Sequence, residues 1–299
     1  MAKTTKATDK KRAPRSTSRK SAENGDQKKH YRPAPSLPMQ NEGMLNMAIK
    51  AARDAGKIQV IAFRDRSNLQ ISNKSLGDYV TEVDKECERV IVETLKTAYP
   101  DHAFLGEETG ESGKKDAEYT WVIDPLDGTT NYSQGLPVFS VSIALQYRGE
   151  TIVGVVYAPY LNELFWASKG GGAYMKSRSG EVKRLHVSDK QTLATSVIAT
   201  GFPYDKDVNP DNNSDNVARI IPYVRDVRRL GSAAYDLSCV AAGLLDGYWE
   251  LDLHEWDVCA ANLIVREAGG VVTDFRPDRG VSQAAGNETL VREILKYVI

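Results

Sequence analysis

The 299-residue chain has little of what builds several common kinds of protein. No apolar run approaches the roughly 20 residues that span a bilayer, which excludes a helical membrane-spanning protein. Its three cysteines, Cys87, Cys239 and Cys259, are odd in number and far apart, so a disulfide framework is not expected and a reducing compartment is. The four histidines (His30, His102, His186, His254) are scattered and no C-x-x-C pair occurs, which argues against a histidine or thiolate zinc site. There is no G-x-S-x-G elbow, no G-x-x-x-x-G-K-[ST] loop and no G-x-G-x-x-G fingerprint. A serine nucleophile on a sharp turn and the two commonest nucleotide cradles are therefore not expected. The charged N-terminus is followed by no apolar stretch of the signal-peptide kind, so the expected location is cytoplasmic.

What is present is an ordinary globular composition, 41% apolar and 26% charged, with a net charge of −1. That balance hides an asymmetry. Residues 1–35 carry eleven Lys/Arg against three Asp/Glu, a net +8, which leaves −9 for the rest. The tail has almost no large apolar residue before Leu37, and Pro33, Pro35 and Pro38 close it. Such a segment buries too little surface to offset its ordering entropy, so residues 1–40 are read as a disordered basic tail. Its candidate roles are a nucleic-acid-binding arm, an import patch around Lys10–Arg15, an organelle transit peptide, or simply a solubilising tail.

From residue 41 onward the chain reads as one folded domain to 299. Met44, Ala48, Ala51, Ala52, Ala55, Ile58 and Ala62 recur at helical spacing behind Asn41, a candidate N-cap. A second helix is predicted over 81–98, with Val83, Cys87, Val90, Ile91, Thr94 and Leu95 on its apolar face and Pro100 beyond its end. Strands are predicted at 121–123, 138–147, 152–157 and 163–167, then at 248–251 and 271–275. Helices are predicted from Gly231 to about Gly243, from Asp257 to Gly269-Gly270, and over 288–299. Helices and strands mix without a regular βαβ rhythm, which favours a layered α+β fold over a doubly wound sheet.

With sulfur and imidazole set aside, the chemistry left is that of oxygen. The densest cluster is Trp121-Val-Ile-Asp-Pro-Leu-Asp-Gly-Thr-Thr-Asn131. An apolar strand delivers Asp124 at its end, Pro125 blocks continuation, and Asp127-Gly128 turns the chain. Two carboxylates three residues apart, with the Leu126 carbonyl between them, suit a hard cation such as Mg²⁺. Gly128, Thr129 and Thr130 could offer backbone N–H groups to a phosphate. Two further acidic points, Gly106-Glu107-Glu108 and Trp256-Asp257, each stand at the edge of an apolar element. Each has a bland reading as well: a plain Asp-Gly turn, a solvated acidic loop, and an Asp N-cap. Acids gathered in one place would repel and raise one another's pKa unless cations neutralised them.

These segments, with Trp256-Asp-Val-Cys-Ala-Ala running on to Glu267-Ala-Gly-Gly270, resemble the signatures of the inositol monophosphatase family of Mg²⁺-dependent, lithium-sensitive phosphatases. The likeness covers about residues 41–299 in order and spacing. It implies a single-domain αβαβα sandwich that hydrolyses a small phosphate monoester, myo-inositol monophosphate first among them, and two or three Mg²⁺ per site. It also implies roles. Glu107, Asp124 and the Leu126 carbonyl would hold one ion; Asp124, Asp127 and Asp257 would hold a second; a third would share Glu107. Asp84 and Thr129 would orient the attacking water, and Lys74 would stand on a loop over the site. Gly128 and Thr129 would hold phosphate, while Glu250, with Ser232 and Ala233 beside it, would meet the substrate hydroxyls. Cys259 departs from the usual alanine, and the basic tail has no counterpart in the family pattern.

The resemblance further implies a homodimer. Other substrates within its range are histidinol phosphate, a sugar phosphate or a 3′-phosphoadenosine nucleotide. A non-catalytic alternative also stands, since some bacterial relatives act in transcription or ribosomal-RNA processing, with a basic tail suited to nucleic acid or an RNA polymerase assembly.

Overall fold

The computed structural model describes residues 1, 39–64, 71–75 and 78–299, so the basic tail and its candidate roles lie outside the described residues. An outer layer is formed by α1 (Met39–Arg64) and α2 (Glu82–Ala98), with a two-stranded hairpin, β1 (Ile71–Ser75) and β2 (Asp78–Thr81), between them in sequence. In α1, Ala48, Ala51, Ala52 and Ala55 recur at three- and four-residue spacing and are fully buried. Their small side chains let the helix pack closely on its neighbours. α2 buries Val83, Cys87, Ile91 and Leu95, while Arg89 on its wet face pairs with Glu86 and Glu93. Because α1 begins at Met39, Asn41 lies inside the helix and does not cap it.

Next comes an eight-stranded sheet. It comprises β3 (Ala103–Gly106), β4 (Gly110–Gly113), β5 (Tyr119–Asp127), β6 (Ser140–Tyr147), β7 (Glu150–Ala158), β8 (Glu163–Ser168), β9 (Gly172–Lys176) and β10 (Val182–Arg184). Their spatial order is β10-β9-β8-β7-β6-β5-β3-β4, and within it only β3 and β5 run parallel. Central strands are buried on both faces, as a sheet covered on each side requires. On β6, Val141, Ile143 and Leu145 join the core beneath α1 and α2, whereas Ala144 faces the opposite core. After β5 comes the short helix α3 (Thr129–Gln134).

The opposite face of that sheet packs on a central helical layer, α5 (Ala233–Ala241) and α6 (Glu255–Glu267). Beyond it is a five-stranded sheet of β11 (Val197–Thr200), β12 (Asp226–Arg228), β13 (Gly247–Leu253), β14 (Val271–Asp274) and β15 (Val281–Gly286), in the order β12-β11-β13-β15-β14. The last layer is α7 (Glu288–Ile294), whose Leu290, Val291 and Ile294 pack with Ile198, Trp249, Ala284 and Ile220 of α4 (Ser214–Ile220). Helix, sheet, helix, sheet, helix is the layered α+β sandwich expected from the element order. The three cysteines are free and buried, and among the described residues no helix is long and apolar enough to cross a membrane.

Two further local expectations are corrected. Pro125 does not end its strand: β5 runs to Asp127, and its register against β6 slips between Asp124 and Asp127. Proline is tolerated there because a bulge asks for no ladder hydrogen bond from it. Asp257 does not cap α6. The helix starts at Glu255 behind His254, and Asp257 is its third residue, with Oδ2 accepting the His254 N–H at 2.7 Å. That is the reaching-back half of a capping box.

The large sheet approaches α6 closely at Gly154 on β7, where a Cβ would stand 2.4 Å from the Ala260 carbonyl oxygen. Backbone cannot swing aside as a side chain can. Gly154→Ala is expected to lower unfolding free energy by about 1–3 kcal/mol. Urea unfolding followed by circular dichroism checks it, and an unchanged midpoint would show that the layers separate freely.

Candidate active site

The site is built where β3 and β5 end side by side. Gly106 pairs with Ile123 in parallel register, so Glu107 emerges next to Asp124. The turn after β3 is shaped by Glu88, a buried carboxylate on α2 that accepts the N–H groups of Glu108 at 2.8 Å and Thr109 at 3.0 Å. A Cβ at Gly106 would come within 2.4 Å of the Glu88 carboxylate, so a side chain there would displace the group that shapes the turn. The bulge in β5 is fixed from both sides. Gln59 donates to the Pro125 carbonyl at 2.7 Å, Asp124 Oδ1 accepts the Leu126 N–H at 2.9 Å, and the Thr129 hydroxyl donates to the Leu126 carbonyl at 3.1 Å. Gly128 then turns with φ 95°, and a Cβ would lie only 3.0 Å from the Gly231 carbonyl oxygen.

Asp127 faces the start of α5. Its Oδ2 accepts the Ser232 hydroxyl at 2.6 Å and the Ala234 N–H at 2.8 Å. Ser232 is also the N-cap of that helix, so one side chain fixes both the helix start and the carboxylate. Asp257 arrives from α6. Together with Asp127 it lines a cleft whose walls include Thr129, Ser232, Ala233 and Glu250. Glu250 hangs from β13, buried, with the Tyr248 hydroxyl donating to it. Gly201 lies flat against its carboxylate, where a Cβ would fall 1.9 Å from Oε1.

The electrostatics are those of acids in a dry place. Burial raises the Glu107 carboxyl to about 8, helped by the charge of Asp257 and opposed by a hydrogen bond with Asp124. Burial likewise drives Asp124 well above the carboxylate range, with Glu107, Asp127 and Asp257 adding to it. Asp257 is raised by burial and by Asp127. Asp127 is raised by burial, which outweighs the Ser232 and backbone donors and the Arg229 charge. Glu250 is pushed up to about 7, again by burial, against the Tyr248 hydrogen bond and Arg229.

Among the described residues, no three His, Cys, Asp or Glu side chains are drawn tightly enough to form a finished metal cage. The donor set nonetheless fits a hard divalent cation. Four carboxyls are raised by burial, like charge adds to it at Glu107, Asp124 and Asp257, Glu107 and Asp124 share a hydrogen bond, and every donor is oxygen.

The remaining expected residues are placed as follows. Asp84 is buried in the first turn of α2, and its charge acts on Cys87 and Tyr132. Lys74 belongs to β1 at the point where its register slips, and its side chain lies outside the described residues. Sequence reasoning missed Glu88, Gln59, Gly201, Arg229 and Asp236. For Asp236 a signal existed, a lone acid in the otherwise apolar run Ala233-Ala-Tyr-Asp-Leu-Ser-Cys-Val-Ala241.

Comparison with known proteins adds to this geometry. The inositol monophosphatase family pattern matches residues 40–294. The chain is 45% identical over 259 residues to the Nus factor SuhB of Pasteurella multocida, covering 85% of this chain and 95% of that protein. It is 41% identical over 264 residues to an inositol-1-monophosphatase of Mesorhizobium japonicum, covering 87% and 97%. The solved structure of the extragenic suppressor protein suhB of Bartonella henselae superposes with a TM-score of 0.77 at 38% identity, over 86% of this chain and 98% of that one. Fold and likeness together define a phosphoric monoester hydrolase. The chain belongs to the inositol monophosphatase family.

The raised carboxyls give a stability profile with a definite sign. An acid whose pKa is higher folded than unfolded binds more protons in the folded state, so stability falls as pH rises. For Glu107 that window runs from its ordinary 4.5 to about 8. With chelator present, the Tm is expected to drop between pH 5 and pH 8, and Mg²⁺ is expected to restore it at the upper end. Differential scanning calorimetry reads both effects, and a Tm that is flat or rising across that window would contradict the electrostatics above.

Proposed function

We propose that the protein hydrolyses the phosphate monoester of a polyhydroxylated alcohol, myo-inositol monophosphate first among them, with Mg²⁺ as cofactor. The observation that carries the reading is the meeting of four carboxyls all raised by burial, Glu107, Asp124, Asp127 and Asp257, beside a cleft walled by Glu250. The relative from Mesorhizobium japonicum, an inositol-1-monophosphatase by name, supports the substrate. The residues fit two or three ions: Glu107, Asp124 and the Leu126 carbonyl as donors to one, Asp124, Asp127 and Asp257 to a second, Glu107 to a third. When bound, Mg²⁺ would neutralise phosphoryl charge, acidify water and stabilise the leaving alkoxide.

The chain's own groups do the positioning. Thr129 and Asp84 orient the water that attacks phosphorus. Gly128 and Thr129 hold the phosphate through backbone N–H and hydroxyl, and Lys74 contributes from the β1–β2 hairpin. Glu250 accepts hydroxyls of the alcohol, with Ser232 and Ala233 lining the same wall. Uncatalysed monoester hydrolysis is among the slowest biological reactions, so this arrangement must remove a large barrier, mostly by charge stabilisation.

The same reading carries a catalytic domain over residues 41–299, lithium sensitivity, a homodimer and a cytoplasmic location. Contact of the basic tail with nucleic acid or RNA polymerase is an added role, separate from the site, and rests on the charge of residues 1–35.

Phosphate release from inositol 1-phosphate is expected to require Mg²⁺ and to fall to background in Asp127→Asn, with circular dichroism and Tm close to the parent. Near-parental turnover in that variant would remove Asp127 from the site. A parent protein that prefers histidinol phosphate or 3′-phosphoadenosine nucleotides would redirect the substrate assignment.

A further inference from the structure

Residues 201–204 and 206 of the loop between β11 and α4 line the cleft, yet of these only Gly201 has a role so far. Among them is Tyr204. Its ring borders open cleft and the residue is 52% exposed, so a ligand can reach it. Among the described residues its hydroxyl has no hydrogen-bond partner. Water satisfies an accessible phenol, so the lack of a partner says little by itself; the surroundings say more.

Asp257, Glu107, Asp127 and Asp124 are, in that order, the charges that act most on the phenol, so its hydroxyl end stands by the acid cluster. Glu250, on the wall that meets the alcohol, is not among them. Desolvation by the cleft walls, with those charges added, holds the phenol well above its usual range, so it keeps its O–H at neutral pH. The loop around it is pinned. Asp205, the next residue, is bonded through both carboxylate oxygens, Arg279 donating to Oδ1 at 2.7 Å and Asn209 to Oδ2 at 2.7 Å. Arg279, nearly buried, also donates to the Asp211 carbonyl and pairs with Asp252 at 3.5 Å. On the other side, Asn213 donates to the Gly201 carbonyl at 2.6 Å. Backbone fixed on both flanks lowers the ordering cost of a contact made by the ring.

A phosphate monoester brings three non-bridging oxygens, all acceptors, and an acid cluster can meet them only through cations. Donors are therefore what the chain itself must supply. Gly128 and Thr129 offer them from the end of β5, and a donor on a second element would fix the orientation of the group as well as its place.

We propose that Tyr204 contacts the substrate: its phenol donates a hydrogen bond to a non-bridging phosphoryl oxygen, with Asp205 and Arg279 holding the loop in place. This deepens the phosphomonoesterase reading above and rests on it. The contact is with the part common to every monoester, whereas Glu250 reads the alcohol.

Tyr204→Phe keeps the ring and deletes the O–H. With Mg²⁺ present, its kcat/KM is expected to fall about tenfold or more, the size of one hydrogen bond to a charged group. The factor is expected to be the same on inositol 1-phosphate and on p-nitrophenyl phosphate. Binding of inorganic phosphate to the Mg²⁺-loaded protein, by calorimetry, is expected to weaken similarly, with Tm unchanged. A loss confined to inositol 1-phosphate would put the phenol on the alcohol and overturn the proposal. Unchanged phosphate affinity with a raised Mg²⁺ requirement would put it on the ions and overturn it too, as would no change at all. A parent that hydrolyses no monoester in the same assays would instead sink the phosphomonoesterase reading, and this contact with it.

Discussion

Holding carboxylates together where there is little water is the constraint that organises this molecule. Burial disfavours each charge, so Glu107, Asp124, Asp127 and Asp257 are all pushed upward, and like charge adds to the rise at Glu107, Asp124 and Asp257. Side chains left to themselves would move apart. They stay because each is tied to backbone that the fold fixes independently: Glu107 by a turn held on Glu88, Asp124 and Asp127 by a bulge held on Gln59 and Ser232, Asp257 by the capping box of α6. Glu88, Gln59 and Ser232 are buried and hydrogen-bonded, which is what preorganisation of a charged site needs.

The layers explain why the acids meet at one place. β3 and β5 are the sole parallel pair of the large sheet, so their ends coincide and Glu107 emerges beside Asp124. α5 and α6 lie between the sheets and bring their N-terminal ends to that edge. α5 presents Ser232 and the Ala234 N–H to Asp127, and α6 presents Asp257. A helix N-terminus carries partial positive charge, which favours a carboxylate placed there. The small sheet then adds Glu250 through β13, leaning on Gly201. Both sheets and the helices between them thus contribute to one site.

Part of this was legible in residue order. The run Trp121–Asn131 stood out as a cluster of oxygen donors, because both aspartates, the intervening carbonyl and the glycine turn lie within one strand end and the turn after it and need no distant partner. Helical faces of α1 and α2 were equally plain, since apolar spacing is local. The errors were also local, and each came from applying a rule one at a time. Proline was read as a strand stop where a bulge accommodates it, and Asp257 as a cap where His254 precedes it.

What no local pattern could reveal is any role that depends on a partner far along the chain. Gly201 looks dispensable until the Glu250 carboxylate is seen against it, and Glu88 looks like one more acid on an amphipathic helix until the Thr109 turn closes on it. Asp236 stands out in an apolar helix, but only packing shows that one of its oxygens has no partner. The sequence by itself determined the layered class, the oxygen-donor chemistry and the family, because these are written in contiguous motifs and periodicity. Tertiary structure decided which acids share a cleft, how their charges perturb one another and which groups hold them there. Distance and burial set those energies, and both exist only after the chain has folded.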